Sequence, residues 1–305
     1  MASVKRPPVG GALDPVISYF DGQAVVWREM YLDRGGLYAS IQRERQEWVL
    51  RTVRELRLPP GTRVLEVGIG AGTLAVSLAR EGIRTIGVDL SPAMLELSLQ
   101  AARTQGVAGK VSVALADASR LPFRDDEFSL VIAIGVVPWV ADPRAFVVEL
   151  ARVTASSGHL VITADNSRRL THALDPRLNP WLARPRRRLG ALVPGGPRRS
   201  ATARGLSRGG FGRMLGESGL EVLRSEPLGF GPFTLLGREI VPDRLGYFLN
   251  ALLQKGARRG LIGLPETACQ HLVLARSDVS RGRGGGPAHG CPGPSPVGEV
   301  SGAAC

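Results

Sequence analysis

Two carboxylates bracket a run of glycines. Glu66 stands in "VLEVGIGAG" (64–72), two residues before Gly68. Gly70 and Gly72 follow at alternate positions, and Asp89 closes "RTIGVD" (84–89), 21 residues after Gly68. Glycines spaced this way after a short apolar run make a turn from strand to helix. There the backbone can approach a ligand closely, and the first N–H groups of the helix are free. A carboxylate at a strand end suits a bidentate bond to a diol. A second one beside the turn suits a cation and repels a pyrophosphate. The position at which a dinucleotide fingerprint requires Gly or Ala is Thr73. No Gly-Lys-Ser/Thr follows, so the turn is not a triphosphate loop either.

The elements around these residues alternate. "RVLEV" (63–67) reads as a strand and "LAVSLAR" as a helix that stops at Gly82. "RTIGVD" is a second strand, followed by Ser91 and Pro92 as N-cap and first position of a helix carrying Met94, Leu95, Leu99 and Ala102. "VSVALAD" (111–117), "FSLVIAI" (128–134) and "HLVITA" (159–164) read as strands, and "DPRAFVVELARV" (142–153) as a helix. Strands this apolar are buried on both faces, which requires a parallel sheet covered by helices on each side. The expected fold is a doubly wound, mostly parallel Rossmann-like α/β sheet. "LEVLRSEPL" and "ACQHLVLAR" (268–276) are expected to bring it to seven strands as an antiparallel edge hairpin, after a helix at 211–219. Helical periodicity over 17–57 predicts an N-terminal cap, with Ile41, Trp48, Thr52 and Leu56 on its inner side. The expected organisation is cap (1–58), cofactor-binding core (59–166), Arg/Pro-rich insertion or lid (167–213), helix and edge strands (214–277) and disordered tail (278–305).

The pattern Glu-x-Gly-x-Gly-x-Gly resembles the first motif of the class I S-adenosylmethionine-dependent methyltransferases. "GVDLSPAML" (87–95) is similar to their second-strand motif, and "ADASRLPFRDDEFSLVIA" (116–133) to their third- and fourth-strand region. "ELARVTASSGHLVIT" (149–163) is similar to their approach to strand five. The resemblance runs over residues 60–166, to the type associated with ubiquinone and menaquinone biosynthesis. It implies S-adenosyl-L-methionine as cosubstrate, held by Glu66, Gly68, Gly70, Gly72, Asp89, Leu90, Asp117, Ala118 and Ile134. In it Asp89 takes the ribose hydroxyls, Asp117 the adenine amino group and Ala118 the ring through its N–H. Asp117 also reads as a helix N-cap.

Methyl transfer from a sulfonium is an in-line displacement, so alignment and exclusion of water are the main tasks. A base is needed only for a protonated acceptor. After strand four, "GVVPWVADP" (135–143) offers Trp139 as a pocket wall or a core residue. After strand five come Asp165 and His172, a candidate base near neutral pH or a solvated loop histidine. His159 lies at the wrong end of its strand. No Asn/Asp-Pro-Pro-Tyr/Phe, Pro-Cys pair or acidic cluster stands in these loops, which argues against adenine-amino, cytosine-C5 and metal-dependent catechol chemistry; no metal is expected. In "YFDGQAVVWREMYLDRGGLYASIQRERQ" (19–46), Tyr19, Trp27, Tyr31 and Arg45 are candidates to touch cofactor or acceptor, or to pack against the core. The start of this stretch is similar over a short length to the magnesium-protoporphyrin O-methyltransferases.

At 44% hydrophobic and 22% charged residues, the 305-residue chain has an ordinary globular composition. No apolar run reaches the roughly 18–20 residues of a membrane span, and "MASVKRPPVGG" is not a secretory signal. Both point to the cytoplasm. Cys269, Cys291 and Cys305 make neither a disulfide framework nor a zinc cluster. The net charge is +12, with 12 arginines and one acid in 167–213. This stretch fits an anionic membrane surface, an RNA or a solvated loop enriched in arginine by coding bias. The reading favoured is methyl transfer to a small-molecule or lipid-like acceptor. The alternatives are an RNA methyltransferase that uses 167–213 and a non-catalytic cofactor-binding protein.

Overall fold

The computed structural model describes residues 16–22, 36–59, 61–175, 179, 182, 205–235 and 238–278. Most of the stretch 167–213, the tail from 279 onward, Trp27 and Tyr31 lie outside them.

The strands in chain order are β1 (Arg63–Val67), β2 (Arg84–Asp89), β3 (Val111–Leu115), β4 (Phe128–Ala133), β5 (Thr154–Asp165), β6 (Leu220–Leu228), β7 (Thr234–Leu235), β8 (Arg238–Glu239) and β9 (Gln270–Ser277). Seven form one sheet in the order β3-β2-β1-β4-β5-β9-β6. β3, β2, β1, β4 and β5 are parallel neighbours. β9 runs antiparallel between β5 and β6. The antiparallel edge pair is therefore present, but no tight turn joins it. Residues 229–269 intervene and carry the β7–β8 pair and a long helix. β5 also starts at Thr154, five residues earlier than "HLVITA".

The helices are α1 (16–22), α2 (Leu37–Glu55), α3 (Thr73–Arg80), α4 (Pro92–Thr104), α5 (Pro143–Val153), α6 (Leu170–Leu174), α7 (Arg208–Glu217) and α8 (Asp243–Arg258). The periodicity over 17–57 thus resolves into α1 and α2, with 23–35 outside the described residues. α4 starts where the sequence places it: Ser91 Oγ accepts from Met94 N at 3.1 Å, with Pro92 in the first position. α5 is capped by Asp142, whose carboxylate accepts from the N–H groups of Arg144 and Ala145.

The period of two along each strand divides the core. Leu65 and Val67 of β1 and Val131 and Ala133 of β4 pack with Phe146 and Leu150 of α5 and Phe211 of α7. Val64, Leu130, Ile132 and Val161 pack on the other face, with Trp48 and Val49 of α2 and Leu78 of α3. Each such side chain contributes about 1.5–3 kcal/mol on burial. Strand order reverses between β2-β1 and β4-β5, which opens a crevice at the carboxyl ends of β1 and β4.

Gly72 locks the floor of that crevice to the fold. It is the N-cap of α3, with φ at +78°, and a Cβ there would stand 2.8 Å from the Ser98 Cα of α4. The left-handed conformation costs an L-residue about 1–2 kcal/mol, and overpacking about 1–3 kcal/mol more. Gly72→Ala should therefore lower the unfolding free energy by about 2–5 kcal/mol in urea denaturation. A loss below about 0.5 kcal/mol would contradict this packing.

Candidate functional site

The turn after β1 folds over the end of β2. Gly68 N and Ile69 N both donate to Val88 O, at 2.8 and 3.0 Å. Gly70 N donates to Asp89 Oδ2 at 2.9 Å, and Ser91 N donates to Asp89 Oδ1 at 3.0 Å. Asp89 is thereby fixed from beneath at both oxygens. A Cβ on Gly68 would strike Val136, whereas a Cβ on Gly70 would meet nothing within 4 Å among the described residues. Gly70 is the position where the turn opens into free space.

That space is a cavity of about 920 Å³. Its floor is Glu66, Gly68, Ile69, Gly70 and Ala71; Asp89 and Leu90, then Asp117 and Ala118, follow along one side, and Ile134 and Trp139 on the other. Gly72 does not line it. Asp117 accepts from the N–H and the hydroxyl of Ser119, each at 2.8 Å, and so closes its own turn at the rim.

Glu66 has the least comfortable position. Its side chain shares the β1 face with Val64, and Glu66 is only 4% exposed. Its Oε2 is buried and has no hydrogen-bond partner among the described residues. Burial, with the Asp89 carboxylate nearby, pushes its pKa up to about 8. Burial also raises Asp89, against the opposing pull of N–H groups from Ser91, Gly70 and Leu90, and Asp21 raises it further. A buried ionised carboxylate requires a compensating partner. The pair therefore favours a ligand that carries positive charge.

Helices α1 and α2 complete the walls. Tyr19 stacks on Trp139 with centroids 5.2 Å apart, and Phe20 meets the same indole edge-on at 5.0 Å. Asp21 Oδ1 accepts from Ser91 Oγ at 2.5 Å. α2 contributes Tyr38, Gln42, Arg45 and Gln46. Arg45 is buried, and a Cβ on Gly135 would lie 3.1 Å from its Nη1. Apart from Arg45, these α2 residues were missed in the sequence. Their spacing at 38, 42, 45 and 46 is one helical face, and that polar face was the available signal.

The expected acceptor-side residues separate. Trp139 and Asp165 line the cavity. Asp165 Oδ1 accepts from Gln270 Nε2 at 3.0 Å, and Oδ2 lies 3.8 Å from Arg169 Nη1. His172 does not reach the cavity. Its Nε2 accepts from Arg169 Nε at 2.5 Å, and its Nδ1 faces Ser167 O at 3.3 Å. Burial and Arg169 lower its pKa. The structure therefore corrects the expectation of His172 as a base at this site: its lone pair is already occupied by a cation. Gln270, on β9, was not anticipated, because only the antiparallel pairing brings it beside Asp165.

Residues 65–162 match the family model of a methyltransferase domain. Norajmaline N-methyltransferase of Rauvolfia serpentina is 35% identical over 109 residues, covering 35% of this chain and 37% of that enzyme. Demethylmenaquinone methyltransferase of Mycobacterium tuberculosis is 33% identical over 147 residues, covering 48% of this chain and 57% of that one. The chain thus matches about half the length of these relatives, or less. The crystal structure of magnesium protoporphyrin IX methyltransferase from Synechocystis PCC 6803 with bound SAH superposes with a TM-score of 0.60, over 88% of this chain and 100% of that one. Its identity is 17%, a likeness of fold.

Glu66 also makes the site's stability depend on pH. In the fold it keeps its proton up to about pH 8, whereas in the unfolded chain it releases it at the ordinary carboxylate value. Between those values the folded state binds more protons, so stability falls as pH rises. Relative to Glu66→Gln, the empty wild-type protein should lose on the order of 1 kcal/mol per pH unit. Urea denaturation at about pH 5, 6.5 and 8 checks it. Parallel pH profiles for the two proteins would contradict the buried state of Glu66.

Proposed function

We propose that this chain, which carries a class I S-adenosylmethionine-dependent methyltransferase domain, transfers a methyl group to a small-molecule or lipid-like acceptor. The observation that carries the reading is the buried Glu66 carboxylate on the floor of a large cavity beside the glycine turn, whose Oε2 has no hydrogen-bond partner among the described residues. S-adenosylmethionine brings a sulfonium and an ammonium to such a floor, and a dinucleotide brings a pyrophosphate.

The residues present fit that molecule group by group. Asp89, held open by Gly70 N and Ser91 N, takes the ribose diol. Glu66 takes the cationic end, and Gly70 gives the close approach. Ala118 and Asp117 edge the adenine, Leu90 packs against it, and Ile134 lines the opposite wall. Arg45 suits the carboxylate. When bound, the molecule supplies an electrophilic methyl on sulfur. The chain's own part is to align an acceptor against it and to keep water out.

The acceptor side is largely apolar: Phe20, Val136, Pro138 and Trp139 form its wall, with Asp165 and Gln270 as the polar pair. Sites of this make-up take apolar molecules oriented by a few polar groups. Relatives of this chain are named norajmaline N-methyltransferase, ajmaline N-methyltransferase and demethylmenaquinone methyltransferase, which agrees with a small or lipid-like acceptor. An anionic membrane surface and an RNA remain readings of the arginines at 167–213.

Calorimetry should show micromolar binding of S-adenosylhomocysteine and none of NAD; the opposite result ends this reading. Asp89→Ala should weaken S-adenosylhomocysteine binding about 10- to 100-fold, as the loss of a charged hydrogen bond implies. Gly70→Val should abolish binding while the chain still folds, at a cost of at least about 1–2 kcal/mol because φ there is positive. Unchanged affinity in both variants would misplace the site. With labelled S-adenosylmethionine in cell extract, label is expected in the lipid or small-molecule fraction. Label in RNA, falling steeply with salt, would favour the nucleic-acid alternative.

A further inference from the structure

α8 packs Leu249, Leu253 and Ala257 into the core, and it also turns polar side chains inward. Asn250 Oδ1 accepts from Phe230 N at 2.8 Å, Gln254 Oε1 accepts from Gly229 N at 2.8 Å, and Gln254 Nε2 donates to Pro227 O at 2.6 Å. These bonds satisfy the backbone where β6 ends. The side chains it turns outward include large apolar ones: Leu245, Phe248 and Leu252 are 48%, 62% and 55% exposed. At i, i+3 and i+7 they form one ridge, and the fully exposed Ile262 follows just past the helix. Single exposed apolar residues are ordinary, but a ridge of this kind is not.

Cations run beside the ridge. Arg244 lies four residues before Phe248, Lys255 seven after it, and Arg259 seven after Leu252; all three are exposed. Between 240 and 263 there are four basic residues and one acid, Asp243. Arg258 is engaged by Glu44 at 2.7 Å. An apolar ridge flanked by cations is the form of a helix that lies in the plane of an anionic bilayer surface. A second copy of this chain would set like charges against each other, so the charge pattern selects the lipid.

The helix also adjoins the cavity. A Cβ on Gly36 would lie 3.3 Å from Asp243 Oδ1, and one on Gly246 would lie 3.3 Å from Leu37 Cδ2. The next residue, Tyr38, lines the cavity. We propose that the outer face of α8, centred on Phe248 and Leu252, is a docking surface for anionic membranes that brings the cavity to the bilayer. The docking rests on α8 alone; its use in delivering an acceptor rests on the lipid-like reading above.

Co-sedimentation of the full chain with phosphatidylcholine vesicles, with and without phosphatidylglycerol, tests it. Binding is expected to the anionic vesicles and to weaken as salt is raised. Phe248→Ser with Leu252→Ser should weaken that binding at least about tenfold, on the scale of the apolar area withdrawn from the interface. Arg244→Glu with Lys255→Glu should also weaken it, and S-adenosylhomocysteine affinity should stay unchanged in both variants. The proposal is overturned if wild type ignores anionic vesicles. It is equally overturned if the Phe248/Leu252 variant binds as wild type does, which would assign binding to the arginines elsewhere. A dimer that the same variant dissolves, without vesicle binding, would give the face to a second copy and overturn it too. Vesicle binding combined with no label in lipid would count against the acceptor reading and leave the docking surface standing.

Discussion

A carboxylate held out of water at the end of a central strand is the constraint around which this molecule is arranged. Glu66 belongs to β1, and β1 is flanked on both sides by parallel neighbours. Its side chain cannot swing to solvent without leaving the face it shares with Val64. The Asp89 carboxylate nearby adds to the cost of ionising it. Two acids kept this close, one with a bare oxygen, give the crevice a preference for positive charge before any ligand arrives. That preference distinguishes this glycine turn from the many others that follow a first strand and receive phosphates.

The surrounding structure serves that crevice from both ends of the chain. The turn holds Asp89 by two backbone N–H groups, so the acid that faces the cavity is oriented by the loop that forms the floor. Gly72 and Gly68 face protein atoms, and Gly70 faces space. Three glycines that look equivalent in the sequence therefore do different things: two permit packing and one leaves room. Above them, α1 is joined to the core through Trp139 and Ser91, and α2 brings Arg45 against Gly135. The cover and the floor meet at the carboxyl ends of β1, β2 and β4.

The strands and the glycine turn were legible because their signals are local. A five-residue apolar run, a positive-φ glycine and a Ser-Pro cap each declare themselves within a few residues. α8 has a helical signal in Leu245, Phe248, Leu249, Leu252 and Leu253, spaced three and four apart. What that spacing does not show is which side is turned inward, because the buried side also carries Gly246, Asn250 and Gln254. Gln270 was hidden differently: it reaches the cavity only through strand pairing with Asp165 across 105 residues of chain. His172 misled because its residue type suits a base, whereas Arg169, three positions away, already occupies its lone pair.

Glu66, with its pKa pushed up to about 8, holds its proton near pH 7 and is expected to ionise when it meets a cation. Calorimetric titration with S-adenosylmethionine near pH 7, repeated in buffers of different ionisation enthalpy, counts the protons exchanged on binding. Release of about one proton per ligand bound is expected from the wild-type protein, and none from Glu66→Gln. Binding of the same ligand with no proton released from the wild-type protein would contradict it.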